Sequence, residues 1–191
     1  IHANGAFGMS VITSVTAQNT QEVRQAFDLP LDMIDAQIDA VFDDFDVAAV
    51  KTGMLSCREI VETVCQGLIR HRVPHLVVDP VMISTSGFPL LADDAVGCVK
   101  ERLLPLAGVV TPNRYEAQLL AGMTIDSVED AKIAARKILD CGPQAVLIKG
   151  GHLDLVDRSV DVLWDGERVS VFEAERIDTP HTHGTGCTYS A

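Results

Sequence analysis

The chain has 191 residues, of which 27 are acidic and 15 basic, and its formal charge of −12 excludes a basic nucleic-acid binder as the first reading. Hydrophobic residues make up 47%, enough for the core of one globular domain, and five cysteines without a CxxC pair argue against a disulfide framework or structural zinc and fit a reducing, cytoplasmic compartment. No apolar run approaches the ~18 residues of a membrane span, and Ile1 to Gly5 lack the charged start and apolar stretch of a secretory signal.

Met9 to Val15 is a short, β-branched apolar run closed by Gln18, Asn19 and Thr20, which predicts a buried strand running into a loop. From Leu31 to Phe45 the apolar residues Leu31, Ile34, Ile38, Val41, Phe42 and Phe45 follow a helical spacing, with Asp32, Asp35, Asp39 and Asp43 on the opposite face. Ala48 to Val50 leads as a strand into Lys51-Thr52-Gly53-Met54. Ser56 and Glu59 then have the spacing of a capping box, and the next helix shows an apolar stripe of Cys57, Ile60, Val61, Val64, Cys65, Leu68 and Ile69. The alternation continues with a strand over His75 to Asp79, a helix over Asp93 to Leu104 and a strand over Gly108 to Thr111. A helix from about Asn113 and another over Val128 to Leu139 follow, then a strand over Ala145 to Lys149. Such alternation predicts a mostly parallel sheet covered by helices on both faces. Val160 to Trp164 and Val169 to Phe172 flank Asp165-Gly166, which predicts an antiparallel edge hairpin. Both ends of the chain look cut, since it opens on a strand and stops just after a helix should begin at Gly184 to Cys187.

In an open parallel sheet, ligands bind beyond the carboxyl ends of the strands. Those ends carry Gln18, Lys51, Met54, Asp79 to Met82, Thr111, Asn113, Glu116, Lys149-Gly150-Gly151-His152 and His183 to Cys187. In His183-Gly184-Thr185-Gly186-Cys187-Thr188 the glycines let successive N–H groups face one small space at a helix start, a cradle for a transferred phosphoryl group. A cysteine in the first helical turn is favoured as thiolate and so suited to act as base or nucleophile. The plainer alternative is a glycine turn beside a buried cysteine, and zinc on His181, His183 and Cys187 is the weakest reading, with no fourth ligand nearby. Asn113 and Glu116 are spaced as a helix cap, yet beside an anion cradle they also offer oxygen ligands of the kind Mg²⁺ takes, with Asp79 a further carboxylate. Lys149 is placed to neutralise phosphate charge, the alternative being an ordinary solvated lysine.

These motifs, with Gly5 to Thr13, Thr16-Ala17-Gln18-Asn19-Thr20, Val78-Asp79-Pro80-Val81-Met82 and Thr111-Pro112-Asn113 with Glu116, resemble in order and kind the bacterial hydroxymethylpyrimidine/phosphomethylpyrimidine kinases of thiamine biosynthesis. That family belongs to the ribokinase-like superfamily. The resemblance implies a three-layer α/β/α fold, and transfer of phosphate from ATP with Mg²⁺ to 4-amino-5-hydroxymethyl-2-methylpyrimidine and then to its monophosphate. Carried over by motif, it implies that Gln18 bonds the aminopyrimidine edge while Met54 and Val81 line the ring. Gly184, Thr185, Gly186 and Cys187 would form the anion hole, with Cys187 where related sugar kinases carry an aspartate base. Asn113 and Glu116 would organise Mg²⁺ with support from Asp79, and Lys149, with the Thr111 segment, would lie along the nucleotide phosphates. It implies a homodimer that binds small molecules, without nucleic acid or membrane. Against the family pattern, an N-terminal strand with its glycine-rich loop and the later helices are missing, so residues 1–191 are expected to be one kinase domain of a longer protein.

Two other functions share the fold: pyridoxal kinases, which phosphorylate a related hydroxymethyl heteroaromatic, and a non-catalytic ligand-binding protein, against which the intact Cys187, Asn113 and Glu116 argue. A dinucleotide oxidoreductase lacks its GxGxxG after any predicted strand.

Overall fold

The computed structural model describes residues 1–83, 90–92, 94–150, 158–177, 179 and 184–191. Its centre is a six-stranded sheet in the order β3 (Val50–Thr52), β4 (Leu76–Val78), β5 (Val109–Val110), β6 (Ala145–Ile148), β7 (Arg158–Trp164) and β8 (Val169–Glu175). The first four strands run parallel, and β7 is antiparallel to both its neighbours, which is the edge hairpin expected from Asp165-Gly166. Helices lie on both faces. Among them α1 (Leu31–Asp44) packs on α2 (Arg58–Arg70), and α4 (Arg114–Ala121) packs on α5 (Val128–Leu139), which itself lies over β6 and β7. The parallel strands β4, β5 and β6 are short and apolar because they are buried between the helical layers: Val78, Val110, Val146 and Ile148 are fully enclosed.

The helices form where the periodicity placed them. In α1 the stripe buries Ile34 and Ile38 against α2, and Gly67 permits the approach, since a Cβ there would stand 2.9 Å from the Ile38 δ-methyl. Helix α5 has the predicted bounds because Ser127 caps it, accepting the Asp130 N–H at 3.1 Å. The helix predicted over Asp93 to Leu104 begins as α3 (Ala95–Cys98), widens to π geometry over Val99–Leu103 and tightens to a 3-10 turn at Leu104–Leu106. Pro105 has no N–H with which to continue the α pattern.

Three expectations need correction. Met9 to Val15 is not a buried strand of the central sheet. The strand β1 is Ser14–Gln18, and it pairs antiparallel with β2 (Val23–Asp28) in a separate two-stranded ribbon whose outer face leaves Val15 and Phe27 more than half exposed. Upstream, the Gln37 side-chain amide satisfies the Ile12 backbone, donating to its carbonyl and accepting its N–H, each at 3.0 Å, so a side chain stands in for a neighbouring strand. Ser56 does not cap α2: Cys57 is its N-cap, and the Ser56 carbonyl is taken by the Ala92 N–H at 2.9 Å. Ile69 lies beyond the buried stripe and is 56% exposed.

Candidate active site

The parallel strands end together, and the residues just past those ends meet. Asp79 follows β4, and its N–H donates to the Thr52 carbonyl at the end of β3. Thr111 follows β5 and donates its N–H to the Val78 carbonyl, while Lys149 follows β6 and donates its N–H to Pro112. Asp79 is 2% exposed, and its carboxylate is the hub. One oxygen accepts from Lys149 Nζ at 2.9 Å; the other lies 3.6 Å from Lys51 Nζ and accepts from Ser190 Oγ at 3.0 Å. A buried carboxylate requires such partners, because an uncompensated charge there would cost several kcal/mol.

Helix α6 (Thr185–Tyr189) opens over this hub. Gly184, its N-cap, sits at φ 78°, a left-handed conformation that a side chain would strain, and a Cβ on Gly186 would stand 3.5 Å from Lys149 Nζ. The glycine turn and the lysine are therefore neighbours, as a phosphate cradle requires. Cys187 is exposed, and all five cysteines are free thiols. On the other side, Asp161 of β7 accepts the Gly150 N–H and the Tyr189 hydroxyl, each at 2.8 Å. Gly150 admits no side chain, since a Cβ would fall 1.5 Å from the Val160 carbonyl oxygen.

Glu116 joins the cluster from α4. The capping box is real: Asn113 Oδ1 accepts the Glu116 N–H at 3.0 Å and Glu116 Oε2 accepts the Asn113 N–H at 2.8 Å. Burial pushes the Glu116 carboxyl up to about 7, Asp79 adds to the rise, and N–H bonds from Asn113 and Met82 with the charge of Lys149 oppose it. The Thr111 hydroxyl, 3% exposed, has no hydrogen-bond partner among the described residues. The cap and the ligand readings of Asn113 and Glu116 are thus compatible, and Lys149 is a partnered lysine instead of a solvated one.

The pyrimidine-contacting residues of the sequence reading are less gathered. Met54 lines a cavity of about 280 Å³ with Ala26, Asp28, Ser56, Leu90, Leu91 and Ala92, between the ribbon and the body of the domain. Val81 is half-buried beside the hub, its N–H donated to the Asp79 carbonyl at 2.9 Å. Gln18 stands exposed at the far end of β1, outside that cavity lining. Gly151, His152, His181 and His183 lie outside the described residues. Among the described residues no three His, Cys, Asp or Glu side chains are grouped to hold a metal. Sequence reasoning gave Ser190 and Asp161 no part in the site. Ser190 follows Cys187 by three positions, the spacing that puts both near one helix face, and that signal could have found it.

A family model described as phosphomethylpyrimidine kinase matches residues 1–191. The chain is 48% identical over 189 residues to the hydroxymethylpyrimidine/phosphomethylpyrimidine kinase of Streptomyces coelicolor, covering 99% of this chain and 69% of the relative. A crystal structure of phosphomethylpyrimidine kinase from Clostridium difficile 630 matches with TM-score 0.82 and 44% identity over 90% of this chain and 73% of that one. An ADP complex of Bacillus subtilis pyridoxal kinase matches with TM-score 0.88 and 37% identity, covering 99% and 71%.

Proposed function

The chain belongs to the phosphomethylpyrimidine kinase family, and we propose that the cluster around Asp79, Lys149 and α6 is where its phosphoryl transfer takes place. The activity is that of a hydroxymethylpyrimidine/phosphomethylpyrimidine kinase, which phosphorylates hydroxymethylpyrimidine and then its monophosphate on the way to thiamine. The observation that carries the site assignment is Lys149 Nζ, anchored on a buried carboxylate and lying next to Gly186 in the first turn of α6.

In this reading ATP is the donor, a use supported by the ADP-bound pyridoxal kinase of like fold. The γ-phosphorus to bridging-oxygen bond of ATP breaks as the substrate's hydroxymethyl oxygen bonds to that phosphorus, and ADP leaves. The hydroxymethyl proton passes to the Cys187 sulfur, which acts as general base. Backbone N–H groups of Gly184 to Cys187 stabilise the transferring group, Lys149 neutralises phosphate charge, and the Thr111 segment and Asn113 flank the nucleotide. Gln18, Met54 and Val81 hold the pyrimidine, Gln18 by an amide that both donates and accepts.

Magnesium fits the donor set. Two carboxylates, Asp79 and Glu116, lie 2% and 4% exposed near a hydroxyl on Thr111 that has no partner among the described residues, and Mg²⁺ needs only one or two carboxylates besides waters and phosphates. Bound there, the ion supplies positive charge that neutralises the β- and γ-phosphates. The same proposal takes the protein as a homodimer, supported by the exposed Val15 and Phe27 of the ribbon, acting in a reducing, cytoplasmic compartment, supported by five free thiols. No helix among the described residues is long and apolar enough to cross a membrane.

The test is ATP consumption by the full-length protein with Mg²⁺ and, in turn, hydroxymethylpyrimidine, its monophosphate and pyridoxal. Turnover with both pyrimidines is the expected result. Turnover with pyridoxal alone would overturn the substrate assignment and remove Gln18 as the specificity residue.

A further inference from the structure

Tyr189 of α6 and the next residue, Ser190, carry hydroxyls, and each is given to a carboxylate that also holds the end of β6. Ser190, 7% exposed, donates to Asp79 at 3.0 Å, and Asp79 accepts from Lys149 Nζ. Tyr189 donates to Asp161 at 2.8 Å, and Asp161 accepts the Gly150 N–H. The first arrangement closes a ring: from Ser190 to Asp79 past β4, to Lys149 past β6, and back to α6 at Gly186, whose carbonyl accepts the Ser190 N–H at 3.2 Å.

A hydroxyl has one proton to give. Ser190 Oγ also lies 3.3 Å from the Gly186 carbonyl and 3.2 Å from that of Cys187, the contacts a serine usually makes within its own helix. The Asp79 carboxylate is nearer and charged, hence the stronger acceptor. The serine thereby forgoes local bonding and ties α6 to the sheet.

We infer that Ser190 is a positioning residue for phosphoryl transfer, setting Gly186 and Cys187 against Lys149 through Asp79. This rests on the reading of the cluster as the transfer site. Without the hydroxyl, the second oxygen of Asp79 keeps Lys51 at 3.6 Å, a longer and weaker hold, and the carboxylate is free to turn and carry Lys149 with it. A displacement of about 1 Å at the reacting group costs about a hundredfold in rate.

The experiment is steady-state kinetics of the full-length kinase with hydroxymethylpyrimidine, ATP and Mg²⁺, on Ser190→Ala, Ser190→Thr and Ser190→Cys. Ser190→Ala should lower kcat by about tenfold to a hundredfold while the pyrimidine KM stays within about twofold. Ser190→Thr, which keeps the hydroxyl, should stay within about threefold of the unaltered enzyme, and Ser190→Cys, a weak donor of nearly the same shape, should fall between. If Ser190→Ala does not fold, the order of Thr above Cys carries the test. On a Lys149→Met background, where the positioned group is gone, Ser190→Ala should cost less than about a further twofold. The inference is overturned if Ser190→Ala leaves kcat unchanged, if Thr is no better than the other two, or if the loss is fully additive with Lys149→Met. The underlying reading fails by a different result, namely Lys149→Met and Cys187→Ala enzymes that turn over at the unaltered rate.

Discussion

Replacing Glu116 by glutamine tests how burial sets the chemistry of this site. The Glu116 carboxyl is 4% exposed and is pushed up to about 7 from its ordinary 4.5, burial being the largest cause. Because the folded value lies above the unfolded one, the folded protein holds this proton more tightly. Its contribution to stability is therefore complete below about 4.5 and is lost as pH rises through about 7. At about 1.4 kcal/mol per unit, the shift corresponds to about 3–4 kcal/mol as an upper bound. Glu116→Gln keeps a carbonyl to accept the Asn113 N–H but cannot ionise. The N–H bonds are already counted in the value of about 7; with half of the upper bound taken for local relaxation, the variant should gain about 1–2 kcal/mol relative to the unaltered protein on going from about pH 5 to about pH 8. For a domain of this size that gain is about 2–8 °C in the unfolding midpoint, measurable by calorimetry of the full-length protein across that range. Mg²⁺ should raise the midpoint of the unaltered protein at the higher pH more than that of the variant, which also needs more Mg²⁺ for turnover. A difference between the two proteins that is the same at both pH values, or that favours the variant less at the higher one, would refute the reasoning.

Gly150→Ala should destabilise the fold by about 3 kcal/mol or more, because the clash at 1.5 Å is with the Val160 backbone and not with a side chain that can turn away. Thermal unfolding measures this, and an unchanged midpoint would contradict the close approach of β7. Cys187→Ala should reduce transfer by about a hundredfold to ten-thousandfold while a non-hydrolysable ATP analogue still binds in a calorimetric titration. Full turnover in that variant would end the assignment of the thiol as base.

The strand–helix alternation was legible because burial on one stripe and burial on both faces leave different periods, and α1 and α5 fall where those periods put them. The ribbon was not, because β2 has no face in the core: five of its six residues are exposed, so Val-Arg-Gln-Ala-Phe-Asp carries no alternation to read. The Ser56 cap failed for a tertiary reason, the claim of Ala92 on its carbonyl. In the site, the identities of Asp79, Glu116, Lys149 and the glycine turn were readable as residue types at strand ends. Their pairing was not, since Lys149 lies 70 residues from Asp79 and Ser190 lies 111 away. Sequence spacing reports only what one helix or one strand brings together, and Asp79 is a meeting of three separate crossovers.

An excess of acidic side chains is compatible with binding a polyanion because the two kinds of charge occupy different dielectric surroundings. Asp32, Asp35, Asp39 and Asp43 lie on α1, and Asp35 and Asp39 there are already engaged by Arg70 at 2.7 Å, at a surface where water and salt screen what remains within about 8–10 Å. At the strand ends, Lys51 and Lys149 face Asp79 with little solvent between them, and Glu116, at about 7, carries its charge only part of the time near neutrality. Lys51, Lys149, Asp79 and Glu116 together therefore sum to between zero and +1 where the global sum is −12. Lys149, the lysine proposed to meet the phosphate, is also largely removed from water in advance. In the proposed reading an incoming phosphate oxygen joins Asp79 as a further partner of Lys149, whose ammonium has three protons to give, and the desolvation that makes a buried cation expensive has already been met by folding. An exposed lysine at the same position would have to lose its water during each turnover.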